Sequence, residues 1–224
     1  MGTQTMKTWY PHEQYFSQAW YKNTFLVRRP TQIGKANTNE RDWNNIHDTG
    51  CNFTCIAMLV GIDPARLASA LSQQSFFYAD YAAPATMLTG ATGGLVWDAN
   101  APNEHIRSVR LSQLWHPRMK RRVTAVVRYK GYAKAKRHAT ALNVVKRARQ
   151  RSQHVICGPF EHAHLVAGEI GDDYFVWDPD DTSVSVEDSL AGRFRLKQLF
   201  AENANEAIEF CFYSVEFLIE EPTP

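Results

Sequence analysis

Residues 51–60 read Cys51-Asn-Phe-Thr-Cys-Ile-Ala-Met-Leu-Val60, and Gly61 follows them. Apolar side chains occur on every side of this stretch, which is typical of a helix buried in a core. Glycine at position 61 favours the left-handed conformation that ends helices. Asp63 and Pro64 are typical of the N-cap and the first position of a following helix. The pattern predicts a buried central helix that begins at Cys51.

Short segments that alternate between polar and apolar residues dominate the C-terminal third of the chain. They predict four strands, over 154–158, 163–170, 173–178 and 208–218. A helix is predicted over 196–203, before the last strand. Gly171-Asp172 is a turn signal that joins the second and third strands into an antiparallel hairpin. Helices followed by antiparallel strands indicate the α+β class.

The other segments carry weaker signals. They predict a short helix over Glu13–Tyr21, a short strand over Thr24–Arg28 and a loop over Asn37–Asp48. A stretch that is mainly loop follows over 83–105, then a strand over Val123–Tyr129 and a helix over Tyr132–Gln150. We expect a single domain over 1–224. It begins with an irregular aromatic-rich segment over 1–45 and continues with central helices over 51–82. A variable insert with a basic strand and helix covers 83–152, and an antiparallel sheet covers 153–224.

The chain has 224 residues, of which 44% are hydrophobic and 21% charged, as expected for one globular domain with a core. No run of 18 apolar residues occurs, so no membrane span is predicted. The first residues lack the apolar stretch of a signal peptide. A cytoplasmic location is the default expectation, with delivery to another cell or particle left open. Reduced thiols are expected at Cys51, Cys55, Cys157 and Cys211.

Charge is distributed unevenly, although the formal net charge is only +2. Residues 105–160 carry 15 basic residues and no acidic one, whereas residues 161–224 carry 3 basic and 15 acidic residues. Basic side chains interleaved with aromatic ones suit a nucleic acid or another polyanion. The candidate residues are Arg118, Lys120, Arg121, Arg122, Lys134, Lys136 and Arg137. The alternative is a solvated surface that the acidic block partly neutralises.

Cys51 stands where the free N–H groups and the dipole of the predicted helix would stabilise a thiolate. A general base must come from elsewhere in the fold. His164 opens a predicted strand and Asp178 ends the next one, so the hairpin would place them side by side. His162 is an alternative base. A metal ion held by His162 and His164 is a further alternative, although no metal or cofactor is expected.

These residues lie within longer motifs, Asp48-Thr-Gly-Cys-Asn-Phe-Thr-Cys-Ile-Ala-Met58, His164-Leu-Val-Ala-Gly168 and Tyr174-Phe-Val-Trp-Asp-Pro179. With them the sequence resembles papain-like cysteine peptidases. It resembles most closely the family that trims bacteriocin leaders after a double glycine, together with its stand-alone relatives. The matching segments are 44–60 and 153–179. The family typically has Gly-Cys-Gly-Pro-x-x-x-Ala-Met at the nucleophile, and this chain has Asn52-Phe53 in place of the Gly-Pro.

The resemblance implies a papain-like fold in which Cys51 is the nucleophile, His164 the base and Asp178 the group that orients the base. The family has an amide side chain, usually Gln, six residues before the cysteine, where it helps to form the oxyanion hole. Asn45 occupies that position here. The implied function is a cysteine-dependent hydrolase, first of all a peptidase that acts on a peptide or protein through an acyl-enzyme. Deamidation and acyl transfer would use the same groups.

A second function remains open at the level of sequence. The fold would then be catalytically silent, and the basic block over 105–160 would bind nucleic acid or serve in an assembly.

Overall fold

The structure is a computed structural model and describes residues 6–22, 46–49, 51–67, 94–97, 106–159, 162–180 and 193–219. Within these ranges, helices and antiparallel strands form an α+β arrangement. None of the described helices has the length and the apolar character needed to cross a bilayer.

Nine strands form one sheet in the described part of the chain. Strands β1 to β9 are Met6–Thr8, Gly94–Trp97, Ile106–His116, Arg121–Ala135, His154–Gly158, His164–Ile170, Asp173–Trp177, Arg193–Arg195 and Ile208–Ile219. The strand order is β2-β3-β4-β9-β5-β6-β7-β8, and β1 pairs with β6. Every pairing is antiparallel. Strand β9 therefore lies in the middle of the sheet, between β4 and β5.

The described helices are short, and they pack on the two faces of this sheet. Helices α1 to α4 are Ile46–Thr49, Cys51–Val60, His138–Gln150 and Leu196–Glu202. Two 3-10 turns precede them, at His12–Gln14 and Gln18–Trp20.

Helix α2 is buried from Phe53 to Val60, and this confirms the predicted central helix. It ends at Gly61, whose φ is +70°. The N–H of Ile62 donates to the carbonyl of Ala57 at 3.1 Å, which satisfies the end of the helix. The predicted start of the next helix is confirmed as well, because Asp63 accepts hydrogen bonds from two N–H groups of the following turn.

The sheet has an apolar layer on each face because neighbouring residues of a strand point to opposite sides. Leu165 and Ala167 of β6 belong to the layer that contains α2 and the aromatic residues of the N-terminal segment. Val166 of the same strand belongs to the layer that contains α3 and α4. Cys51 is the first residue of α2, so side chains of the first layer lie on the same face of the sheet as Cys51.

Strand β4 is longer than predicted, and the helix after it begins later. The sequence predicts a strand over Val123–Tyr129 and a helix from Tyr132, but β4 continues to Ala135 and α3 begins at His138. Residues 128–134 alternate between exposed and half-buried. The half-buried positions are Tyr129, Gly131 and Ala133, and the exposed ones include Tyr132, so the strand periodicity is weak in the hydrophobicity of the sequence.

The N-terminal half differs from expectation at three further places. The predicted helix over Glu13–Tyr21 is replaced by the two 3-10 turns. Strand β2 lies inside the stretch predicted to be mainly loop, and strand β3 was not predicted. Within the predicted loop over Asn37–Asp48, the last three residues belong to α1. The predicted strand over Thr24–Arg28 and the rest of that loop lie outside the described residues.

Candidate active site

Cys51 is the first residue of α2 and is partly exposed, whereas Cys55, Cys157 and Cys211 are buried. The structure pairs none of the four thiols in a disulfide. Burial raises the pKa of each of the three buried thiols above its ordinary value. Because the thiolate is the reactive form, these three are poor nucleophiles. Cys51 is therefore the thiol that is available for chemistry.

His162 connects this thiol to an acidic residue. Its Nε2 lies 2.8 Å from Oδ1 of Asp178, and its ring also hydrogen-bonds Cys51. Since Asp178 occupies Nε2, Nδ1 is the ring nitrogen that remains for the thiol. Burial lowers the pKa of His162, but the hydrogen bonds to Asp178 and Cys51 outweigh burial and raise that pKa to about 10. The protonated ring is thus the form that the site favours.

His164, which the sequence names as the base, lies in a different environment. It is 3% exposed, and its Nδ1 lies 3.3 Å from the carbonyl oxygen of Cys157. Its Nε2 lies 3.7 Å from Oδ2 of Asp178, and its ring packs edge-on against Phe194. Burial and the neighbouring charge of His162 hold the pKa of His164 below its usual range. None of the contacts that the structure gives His164 involves Cys51.

Strand alternation explains why the two histidines differ. His164 begins β6 and has the same parity as Val166, which packs in the layer of α3 and α4. Its side chain therefore leaves the sheet on the face opposite to α2. His162 precedes the strand, so the alternation does not extend to it. Its N–H donates to the carbonyl of Pro159 at 3.4 Å, and its ring hydrogen-bonds Cys51.

Two close contacts fix the positions of His162 and Ala163. Cys55, one helical turn after Cys51, donates its thiol to the carbonyl oxygen of Ala163 at 3.7 Å. Gly158 lies so close to the backbone of His162 that a Cβ at position 158 would overlap the carbonyl oxygen of His162. The first contact ties α2 to the segment between the histidines, and the second requires glycine at the end of β5.

The N-terminal segment fixes the turn that carries Asp178. The hydroxyl of Tyr15 donates to the carbonyl oxygen of Asp178 at 2.8 Å. Gln18 donates its N–H to the carbonyl of Pro179 at 2.6 Å and its side-chain amide to Asp180 at 3.0 Å. Oδ1 of Asp178 also accepts the N–H of Asp180 at 2.8 Å. Burial raises the pKa of the Asp178 carboxyl, but the hydrogen bond from His162, the charges of His164 and His162 and the N–H of Asp180 outweigh burial and lower that pKa.

The predicted hairpin is present, and it brings His164 and Asp178 to the same end of β6 and β7. Leu165 pairs with Trp177, so the flanking residues 164 and 178 are neighbours as expected. The turn at Gly171-Asp172 connects the strands, and φ of Gly171 is +63°. Asn45, the predicted oxyanion-hole residue, lies outside the described residues.

The predicted basic residues are all exposed, but they do not form one patch. They lie in two groups, at the β3–β4 turn and at the far end of β4. Arg122 and Lys134 are twelve residues apart on β4, which corresponds to about 40 Å of extended strand. Lys134 forms an ion pair with Glu209 of β9. In the same pair of strands Arg128 lies 3.2 Å from Glu216, so the basic and acidic blocks meet along β4 and β9.

Sequence reasoning placed His164 before His162 as the candidate base, and it missed the contacts of Tyr15, Gln18 and Cys55. One signal for His162 was available. Gly158-Pro159 marks the end of a strand, and a residue in the loop after it does not share the alternation of the next strand. No comparable signal exists for Tyr15 and Gln18, because their partners lie more than 160 residues away.

Comparison with models of protein families, with curated proteins and with solved structures gives no significant match. The resemblance to papain-like peptidases, and the roles that it implies, stay predictions. A function for this chain must be argued from the arrangement of its own residues.

Proposed function

We propose that this protein is a cysteine-dependent hydrolase with a papain-like reaction, in which Cys51 is the nucleophile, His162 the base and Asp178 the residue that orients the base. The observation that carries the proposal is the pair of hydrogen bonds of the His162 ring, one to Asp178 and one to Cys51. A nucleophile, a base and an orienting acid in one hydrogen-bonded series are what acyl transfer requires. The proposed substrate class is a peptide or protein.

The reaction follows from these contacts. Nδ1 of His162 has already taken the thiol proton, so the sulfur of Cys51 attacks the acyl carbon as a thiolate, and the carbonyl oxygen becomes an oxyanion. His162 then gives the proton to the leaving amine, the carbon–nitrogen bond breaks and an acyl-enzyme remains. Neutral His162 next takes a proton from water, the hydroxide attacks the thioester, and the carbon–sulfur bond breaks. The carboxylic acid leaves, and the Cys51 thiolate beside protonated His162 is restored. Asp178 stays ionised and accepts the Nε2–H throughout.

The assignment of the base to His162 differs from the one that the family resemblance implies. His164 is directed toward the carbonyl of Cys157 and toward Phe194, and it lies on the face of the sheet opposite to α2. Its approach to Asp178 at 3.7 Å is longer than a hydrogen bond. A proton on Cys51 has a short route to His162, and the contacts of His164 offer none.

Alkylation by iodoacetamide tests the proposal. We expect Cys51 to be carboxamidomethylated at neutral pH much faster than Cys157, and we expect His162→Gln to slow that reaction by about tenfold or more. His164→Gln should leave the rate within a few-fold of the natural chain. Mass spectrometry of the labelled peptides gives the rate at each cysteine. Equal rates at the two cysteines, or a loss confined to His164→Gln, would reject the assignment.

The same groups would serve amide hydrolysis, deamidation of a glutamine side chain and acyl transfer to an amine. A glutamine-containing peptide incubated with and without a primary amine separates these reactions. The products are, respectively, a cleaved peptide, a peptide with glutamate in place of glutamine, and an amine adduct. Formation of any of them should require both Cys51 and His162.

The alternative of nucleic-acid binding has less support from the described residues. Its candidates form two groups about 40 Å apart along one strand, and Lys134 is already paired with Glu209. A mobility-shift measurement at low salt, with single-stranded and double-stranded DNA and RNA, tests it. Retardation that weakens steeply with salt, and that persists in Cys51→Ser, would favour this function over the hydrolase.

A further inference from the structure

Three side chains at the candidate active site converge in a way that the hydrolase reaction does not use. His162, His164 and Asp178 each offer one nitrogen or oxygen atom, and these atoms all lie within 4.8 Å of one another. The reaction above needs only two of them. His164, the third, is almost completely buried, and its ring meets the ring of His162 edge-on with the centroids 4.4 Å apart.

The hydrogen bond of His164 determines which of its nitrogens faces the cluster. Nδ1 lies 3.3 Å from the carbonyl oxygen of Cys157, which only accepts, so Nδ1 carries the hydrogen. In that tautomer Nε2 has a lone pair, and Nε2 faces Oδ2 of Asp178 at 3.7 Å. A lone pair and a carboxylate oxygen repel each other in a buried site. A cation between them would turn this repulsion into attraction.

The second histidine is oriented in a similar way. Nε2 of His162 faces Oδ1 of the same carboxylate at 2.8 Å. The ring also hydrogen-bonds Cys51, and because Asp178 occupies Nε2, we assign that bond to Nδ1. Both histidines thus direct Nε2 toward Asp178 and have a fixed partner at Nδ1. Histidines that bind metals in proteins typically have this arrangement, with the second nitrogen held by a carbonyl or another polar group.

We propose that His162, His164 and Asp178 form a binding site for one divalent transition-metal ion of the Zn²⁺ class, with both Nε2 atoms and the Asp178 carboxylate as its ligands. Two imidazoles and a carboxylate are a common ligand set for zinc, and a water molecule can take the fourth position. Cys51 and the carbonyl of Cys157 orient the two rings without binding the metal. The site does not depend on the hydrolase function, because it requires no reaction at Cys51.

Bound metal and the proposed catalytic arrangement exclude each other. The metal takes the lone pair of His162 Nε2, and this nitrogen can then no longer donate its hydrogen to Asp178. A metal at this position would therefore suppress the reactivity of Cys51, and a chelator would restore it.

Direct titration with Zn²⁺ and with Co²⁺ tests the site in the full chain that carries Cys51→Ser, which removes the thiol but keeps an acceptor for His162. We expect one equivalent to bind, and binding should weaken by about 100-fold or more in Asp178→Asn and in His164→Gln. His138→Gln is the matched control, because His138 forms a 2.8 Å pair with Asp173 without a second histidine. Circular dichroism establishes that each variant is folded.

Absence of stoichiometric binding would overturn the proposal, and so would equal weakening in His138→Gln and Asp178→Asn. The Co²⁺ complex of the chain with Cys51 intact gives an independent readout. It should show ligand-field bands without a sulfur-to-cobalt charge-transfer band, and such a band would show that Cys51 is a ligand and reject the proposed set. These measurements do not involve turnover, so an inactive enzyme does not affect them.

Discussion

The thiol of Cys55 donates to the carbonyl oxygen of Ala163 at 3.7 Å, and this contact joins the helix of the nucleophile to the segment that carries both histidines. Ala163 lies directly between His162 and His164. The spacing between Cys51 and His162 therefore depends on a second, unreactive cysteine one helical turn further along α2.

Replacement of Cys55 by alanine should affect both stability and reactivity. The change removes a fully buried atom and a hydrogen bond, so we expect the free energy of unfolding to fall by about 1–2 kcal/mol. We also expect alkylation of Cys51 to slow, because the segment of His162 loses its contact with α2. Cys157→Ala is the matched control. It removes the same atoms on the other face of the sheet, and it should reduce stability without slowing alkylation.

Gly158→Ala should displace the backbone of His162. A Cβ at this position would overlap backbone rather than a flexible side chain, so the chain must move, at a cost of about 1–3 kcal/mol. Alkylation of Cys51 should then fall toward the level of His162→Gln. Gly131→Ala provides the comparison, since Gly131 has φ of +124° but open space around it. That variant should lose stability through backbone strain while Cys51 keeps its reactivity.

The hydrogen bond from Tyr15 to the carbonyl of Asp178 should support the orientation of that carboxylate. We expect Tyr15→Phe to lower the free energy of unfolding by about 1 kcal/mol, the net value of one buried hydrogen bond, and to slow alkylation of Cys51. Tyr10→Phe also removes a hydroxyl that is hydrogen-bonded to a side chain, His154, away from Asp178. If both variants slow alkylation equally, the contribution of Tyr15 is general stability and not the position of Asp178.

Acid should destabilise the protein partly through His154. Burial and the nearby charge of Arg149 lower the pKa of His154 to about 4, whereas in the unfolded chain it is about 6.5. Above pH 6.5 neither state is protonated. As the pH falls toward 4, only the unfolded state takes up the proton, and stability on the order of 2–3 kcal/mol is lost.

Urea unfolding at pH 7 and at pH 4.5 measures this loss. His154→Gln keeps an acceptor for the Tyr10 hydroxyl but does not titrate, so its stability should decline less over this interval than that of the natural chain. Equal declines in the two proteins would contradict the assignment to His154.

Much of the fold near the site could be predicted because local signals and tertiary packing agree there. The helix over 51–60 and the strand over 154–158 have the predicted bounds, since each contains a run of apolar residues and glycine marks its end. Gly61 follows the helix, and Gly158 is the last residue of the strand. Strand β3 could not be predicted in the same way. Its apolar residues stand at 106, 109, 111, 114 and 115, which does not repeat every second residue. The register shift between Leu111 and Leu114 accounts for the odd spacing across that part of the strand.

The site was only partly predictable for a related reason. The positions of Cys51 and Asp178 follow from the ends of a helix and a strand, which the sequence marks. The choice between His162 and His164 depends on where β6 begins, and a difference of one or two residues there changes which face a side chain occupies. The sequence predicted a strand from 163, β6 begins at His164, and His162 lies outside the strand.

The central position of β9 has a consequence for the order of events during synthesis. Among the described strands, β6, which begins at His164, and β7, which Asp178 follows, connect to β4 through β5 and β9, and β9 begins at Ile208. Until the ribosome has released that strand, the two halves of the sheet cannot join, and the contacts between Cys51 and His162 lack their support. Long-range pairing of this kind forms late. In the nascent chain Cys51 would therefore lack its contact with His162, and it would gain this partner only when the sheet is complete.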